Sequence, residues 1–403
     1  MRAAPHAVRL AALTAVLILI FCFVQPVSAQ PGITSPEVEY EFGRSITFRA
    51  SLEASSPVQN AVVLFGAENS SHTFPGEASV TSDGEIQMTY NLEGQSLQAF
   101  SNVEYRFRIT FEDGETYTSP FYSFYYEDNR FEWQTLEEEI YRVHWYSGDV
   151  TLAQDVLDVA QAGMDRARGL ISLTVQDETL DIYVYDNPKD MQDVLGPSSE
   201  NWVAGHADPE VGVMVVALPP GPDQRLDMEQ RIPHELMHLL LYGTMGTKYA
   251  ELPVWLSEGL ASITELYPNP DYQILLNNAY DNESLIPIGD LCSSFPRDAS
   301  KALLAYAEAA SFTRYLRQTE GSAGLDRLLQ TYGDGYDCQR GLEVAIGRNL
   351  PQLERQWRQA VFGEDGQVSA ISQLLPWLFL LAAALGAPLA VVILTTVRRM
   401  PTL

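Results

Sequence analysis

His234-Glu235-Leu236-Met237-His238 runs without a breaker into Leu239-Leu240-Leu241, and Trp255-Leu256-Ser257-Glu258-Gly259 follows it. The first stretch reads as a helix, with Gly243 as its C-terminal stop. Residues i and i+4 lie one above the other on a helix face, so His234 and His238 present two imidazoles to the same point in space. Pro233 removes one backbone donor and is expected to start or kink the helix just before them. The second stretch reads as another helix, with Pro253 suited to its first turn.

Two imidazoles on one helix face are a metal-binding pattern, and Glu235 stands beside that face. A zinc ion lowers the pKa of a water it holds to about 7, and a neighbouring carboxylate can take the proton as the hydroxide attacks a carbonyl. A catalytic zinc commonly has three protein ligands, so a third is expected. No His follows His238 in the chain. Glu258 lies twenty residues after His238, with Glu251 and Glu265 each seven residues from it. Glu251 precedes Pro253 and so falls outside the helix, whereas Glu265 could orient a His from behind.

With His234, Glu235, His238 and Glu258 in this spacing, the chain resembles the gluzincin metallopeptidases. The W-L-x-E-G form of the second stretch is similar to that of the M1 aminopeptidases and of peptidase MA-like domains. The resemblance covers roughly residues 140 to 362. It implies a zincin-like fold, one catalytic Zn2+ held by His234, His238 and Glu258, and Glu235 as the general base. It also implies an oxyanion donor from a later helix. Residues 302–318 read as that helix, and its candidates are Tyr306, which we favour, and Tyr315.

The departures from those families are informative. M1 aminopeptidases hold the substrate's free amine with a G-x-M-E-N strand. The corresponding stretch here, Gly212-Val213-Met214-Val215-Val216, lacks the Glu and Asn. It is expected to line the cleft as an edge strand, without capturing an amine, which favours endopeptidase action. The position four residues after Glu258, where some gluzincins carry an Asp supporting a His, is Ser262. His144 and His206 stand alone and read as structural.

Outward from the motif, residues 131–363 read as α+β, strands first and helices after. Leu152, Val156, Val159, Ala160, Gly163, Ala167 and Leu170 form one helical stripe. Residues 179–185 alternate as a strand, and 211–218 form an apolar one. A last helix starts near Asn349-Leu350-Pro351. Residues 30–130 read as an all-β, immunoglobulin-like sandwich. Ser45 to Leu52 and Val103 to Ile109 alternate polar with apolar, the aromatic run Phe121 to Tyr126 forms a further strand, and Asp113-Gly114 marks a hairpin. No Cys lies in this part.

Both ends of the chain are apolar. Arg2 and Arg9 flank the run Leu10 to Val24, and Val27-Ser28-Ala29 offers a cleavage site, so residues 1–29 read as a signal peptide. After a linker over 364–373, the uncharged residues 374–397 are long enough to cross a bilayer, which takes about 20 apolar residues. Arg398 and Arg399 open a tail over 398–403 that the positive-inside rule places in the cytoplasm. The expected topology is single-pass type I in the cell membrane, with the catalytic domain outside. In that oxidising compartment Cys292 and Cys338 can pair. The chain has 403 residues and a net charge of −28. The ends hold four Arg and no acid, so the exported part is more acidic still, which excludes nucleic acid as a partner. The sequence thus points to a membrane-anchored zinc peptidase acting on peptides or proteins. An aminopeptidase of the same fold and a non-proteolytic surface-binding protein are the alternatives.

Overall fold

The computed structural model describes residues 31–68, 70–95, 97–174, 179–195 and 205–363, with Trp377 and Leu380. The expected signal peptide (1–29) and membrane span (374–397, those two residues apart) lie outside the described residues. Among the described residues, no helix is long and apolar enough to cross a membrane. The chain divides into two compact units, Met1–Glu132 with Asp193–Pro197 and Trp133–Gln192 with Ser198–Leu403.

The first unit is an all-β sandwich of eight strands: β1 (Gly32–Glu41), β2 (Ser45–Glu53), β3 (Val58–Ala67), β4 (Phe74–Val80), β5 (Glu85–Asn91), β6 (Ser101–Phe111), β7 (Thr116–Thr118) and β8 (Tyr122–Tyr126). Their order is β1-β2-β5-β4-β3-β6-β7, and β8 pairs with β6. β4 passes between layers, pairing with β3 over Phe74–Ala78 and with β5 at Ser79–Val80. The alternation in β2 and β6 sends Ile46, Phe48, Val103 and Phe107 into the core. There the Phe48 ring packs 5.1 Å from Phe65 and 4.9 Å from Tyr105. Each such buried ring contributes roughly 2–3 kcal/mol. The Asp113-Gly114 turn closes the β6–β7 hairpin, with Gly114 at φ 87°, a conformation that suits glycine.

The second unit carries a five-stranded sheet of β9 (Gln134–Glu138), β10 (Tyr141–Trp145), β11 (Leu180–Tyr185), β12 (Gly205–Asp208) and β13 (Val213–Ala217), ordered β12-β13-β11-β10-β9. β10, β11 and β13 are parallel neighbours; β9 and β12 close the edges antiparallel. One face, with Val143, Ile182, Val184, Met214 and Val216, belongs to the main core. The alternation expected over 179–185 is not one of burial: on the other face Tyr183 and Tyr185 are buried too, with Trp133 packed edge-on against both. Strands in parallel pairs are ordinarily covered on both sides, which overrides the alternation.

The stretch around Met214 is also not where the sequence placed it. β13 has β12 on one side and β11 on the other, so it is an interior strand, and the edge is β12. Gly-His-Ala-Asp is too short and too poor in β-formers to announce itself as a strand.

The helices are α1 (Val150–Arg168), α2 (Pro188–Leu195), α3 (Gln224–Met245), α4 (Val254–Thr264), α5 (Asp271–Asp281), α6 (Ala299–Gly333), α7 (Cys338–Ile346) and α8 (Leu350–Phe362). Short 3-10 turns occupy Gly246–Glu251 and Ile288–Leu291. α6 outruns the expected 302–318 and is broken only at Gly321, at φ 71°. α8 opens with a capping box between Asn349 and Gln352. Cys292 and Cys338 form a disulfide, with Cα atoms 6.0 Å apart across 46 residues of sequence. Closing such a loop contributes about 4 kcal/mol in the chain-entropy account.

One buried carboxyl is at odds with the core around it. Glu308 of α6 is fully buried, and its Oε1 accepts the Ile286 N–H at 2.9 Å. Burial pushes its pKa up to about 8. A group whose folded pKa is raised stabilises the fold fully below its unfolded value, and that stability is lost as pH rises through the folded value. Glu308→Gln should therefore become more stable relative to the natural chain as pH rises from about 4.5 to above 8, by on the order of a few kcal/mol. Thermal melts of both proteins across that range check this; a stability difference that does not change with pH would contradict it.

Candidate metal centre

α3 carries the first motif, but it neither starts nor breaks at Pro233. The helix begins nine residues earlier, and Pro233 lies inside it. A proline within a helix leaves the carbonyl four residues back without its N–H. That carbonyl, Glu229 O, accepts the Leu266 N–H at 2.8 Å. The donor lies just past the end of α4, so the missing bond in α3 becomes a tie between the two motif helices. On its other side Pro233 packs against Gly163 of α1, where a Cβ would come within 3.0 Å of the proline ring.

α4 is held from a second direction by α6. A Cβ at Gly259 would lie 2.1 Å from Thr313 Oγ1 and 2.7 Å from Ala309 O, so the glycine permits the close approach of the two helices. Trp255 is fully buried, with its ring 5.0 Å from that of Phe312. The Trp and Gly of W-L-x-E-G thus set the helix height at which Glu258 projects.

The result is a convergence of three side chains. Glu258 Oε2 lies 3.3 Å from His234 Nε2 and 3.7 Å from His238 Nε2. One ligand atom from each of the three lies within 4.8 Å of the others, the one such group among the described residues. Glu258 Oε2 is buried, with the two imidazoles as its charged neighbours. The Nδ1 atoms are engaged elsewhere. His234 Nδ1 is 3.2 Å from Glu265 Oε1, and His238 Nδ1 is 3.0 Å from the Tyr249 hydroxyl, with Ser257 Oγ at 3.4 Å. Both imidazoles therefore present Nε2 inward. Two imidazole nitrogens and a carboxylate oxygen, each oriented from behind, fit a zinc-type ion.

The charges agree with this. Burial alone would lower the pKa of His234, but its hydrogen bonds to Glu258 and Glu265 raise it well above the usual imidazole range. Burial would likewise raise Glu258, but the two His hold it well below the usual carboxylate range. Positive charge is thus favoured where the three atoms meet.

Glu235 is 9% exposed and lines a cleft of about 200 Å³ together with His234, Tyr272 and Tyr306. Above it runs the edge strand β12. A Cβ at Gly205 would stand 2.7 Å from Glu235 Oε1, so only glycine leaves this carboxylate where it is. Tyr306 of α6 faces the cleft, its ring centroid 6.1 Å from that of His234. Burial, reinforced by the charges of Glu258 and Glu235, raises its pKa well above 10. Tyr315, the other candidate, is packed in the main core. Glu251 ends the 3-10 turn and is exposed, away from the cluster, and Glu265 stands behind His234. His206 is exposed. His144 is bonded to Asp181 at 2.7 Å and stacked on Tyr183, apart from the cleft.

Sequence reasoning passed over Tyr249, Tyr272 and Gly205. Tyr249 sits in a 3-10 turn with no periodic signal. Tyr272 opens α5, and only the course of the chain after α4 brings it to the cleft. Gly205 belongs to a strand that was not foreseen.

The profile of the Peptidase MA superfamily matches residues 160–363, half of the chain, and so spans both motif helices. The chain belongs to the Peptidase MA superfamily. This makes the second unit a domain of metallopeptidase type, with a His-His-Glu group that could hold the metal. No curated protein matches the chain. Among solved structures, one described as a myokine is 9% identical over 24% of this chain and 96% of its own, with a TM-score of 0.20. A cycloalternan-degrading enzyme from Trueperella pyogenes is 19% identical over 27% and 13%, at 0.17. A purple acid phosphatase from yellow lupin is 10% identical over 38% and 29%, at 0.21. Scores this low carry no argument about the peptidase MA domain.

The supporting bonds behind the two His can be tested directly. Tyr249→Phe and Glu265→Gln should each weaken zinc affinity about 10- to 100-fold while leaving the far-UV circular dichroism unchanged. Competition titration against a chromophoric chelator measures this. Unchanged affinity in both variants would show that neither group orients its imidazole.

Proposed function

We propose that the chain is a zinc-dependent endopeptidase that cuts peptide bonds outside the cell membrane, to which residues 374–397 anchor it. The observation that carries the reading is the meeting of His234 Nε2, His238 Nε2 and Glu258 Oε2 at one point, with Glu235 alongside in an open cleft. These three side chains would hold the ion. When bound, zinc supplies a Lewis acid that polarises a carbonyl and acidifies water.

The chain's own groups do the rest. Glu235 takes a proton from the attacking water and returns it to the departing amine, a role suited to a carboxylate at the edge of the cleft. Tyr306 donates its hydroxyl proton in a hydrogen bond to the carbonyl oxygen as charge develops there. Its raised pKa keeps that donor protonated through the neutral and mildly alkaline range. Glu265 and Tyr249 hold the imidazoles in orientation. The acids lining the cleft among the described residues are Glu235 and Glu265, and the second is already bonded to His234. Neither is placed to capture a free amine, which supports action within a chain. The apolar ends of the sequence support export and anchoring, with the acidic ectodomain facing solvent.

Glu235→Gln separates chemistry from metal binding. It should retain zinc and lose at least about 100-fold in the hydrolysis of an N-blocked peptide. Hydrolysis surviving in the variant would contradict the role of Glu235. Cleavage confined to free-amine substrates would replace the endopeptidase with an aminopeptidase.

A further inference from the structure

A second cavity of about 780 Å³ lies beside the cleft, between α5, the Ile288–Leu291 turn and the start of α6. Its wall is mostly apolar, with Leu275, Leu285, Ile286, Phe295 and Leu304 among its residues. Lys301 and Asp290 both stand on it, so neither sign of charge dominates there. The cavity and the catalytic cleft share a partition. Phe295 lines the cavity, and its ring packs edge-on against Tyr306, 4.9 Å between centroids; Tyr306 lines the cleft. Leu303 faces the cleft, and the next residue, Leu304, faces the cavity.

The partition is also thin in terms of polypeptide. Ring contacts of 6.1 Å (His234 to Tyr306) and 4.9 Å (Tyr306 to Phe295) separate the motif from the cavity. An extended chain passing over the rim of this partition needs at least about three residues, at about 3.3 Å each.

The cavity wall is anchored to the same frame as the metal centre. Cys292, next to the Ile288–Leu291 turn, is joined to Cys338, and its carbonyl accepts the Val254 N–H at the start of α4 (2.9 Å). Ile286 is held by Glu308 of α6. A preformed apolar cavity of this size is of the kind that takes up ligand side chains, and it holds more than one.

We infer that this cavity receives substrate, and that the enzyme selects polypeptide segments carrying bulky apolar residues two to three positions from the bond it cuts. The inference rests on the proposed peptidase reading and names its substrate class: extended, apolar sequence of the kind that unfolded protein exposes. Discrimination by an apolar site is worth about 10- to 200-fold.

The test uses N-blocked peptides identical except for a Leu-Phe or Ser-Ser pair at the second and third positions on either side of the scissile bond. For the zinc-loaded protein, kcat/KM should favour one Leu-Phe peptide at least tenfold, with the difference in KM. For zinc-loaded Glu235→Gln, calorimetric Kd should show the same preference without turnover. Ser294→Trp narrows the cavity from an exposed position, and Leu275→Arg places a charge in its wall. Each should bring both ratios to about one. Ratios near one in the unaltered cavity, or ratios that survive both substitutions, would overturn the inference. A binding preference without any hydrolysis would leave the cavity assignment standing and overturn the peptidase reading instead.

Discussion

The site depends on α4 being pinned at its C-terminal end and along one face, so that a single carboxylate oxygen reaches two imidazoles on another helix. The pin to α3 is the Leu266 N–H on the carbonyl that Pro233 leaves free. The pin to α1 is Arg166, whose Nε donates to Ile263 O at 3.1 Å. Along its length α4 beds on α6 through Gly259 and Trp255, and Trp255 Nε1 also points at Cys338 Sγ, 3.4 Å away. Ligand positions good to a few tenths of an ångström need supports of this kind, because loosely held ligands lose affinity and rate.

The same arrangement concentrates cost at one point. A buried carboxylate loses several kcal/mol of hydration unless charge and hydrogen bonds return it. Glu258 is compensated by two imidazoles, and these in turn by Glu265 and Tyr249. A divalent cation at the meeting point would compensate all of them at once. Glu308 illustrates the other outcome: buried with one backbone donor and no imidazole beside it, it is pushed toward the neutral form.

Much of this was legible in the sequence, and the misses have physical causes. The i, i+4 spacing of His234 and His238 fixes their common face through helix geometry alone, so it reads directly. The stripe of α1 and the alternation of β2 and β6 read equally well, because burial on one side dictates them. Pro233 does not start the helix, because the carbonyl it leaves free is taken by a distant N–H and the helix runs through it. The edge strand was assigned to 212–216 by its correspondence to the G-x-M-E-N strand; apolarity on both faces marks an interior strand, and the true edge, Gly205–Asp208, is short and polar. Tyr249 reaches His238 from outside its helix, and only the tertiary path of the chain brings it there, whereas Glu265 was legible from its spacing as a support behind a His.

The central claim is that His234, His238 and Glu258 together hold one metal ion. Zinc content per chain, measured on the purified full-length protein and on Glu258→Ala after identical zinc loading and dialysis, tests it most directly. About one equivalent in the natural chain, and loss of nearly all of it in a variant that keeps its secondary structure, is the predicted result. Full zinc retention without Glu258, or none in the natural chain, would contradict the assignment.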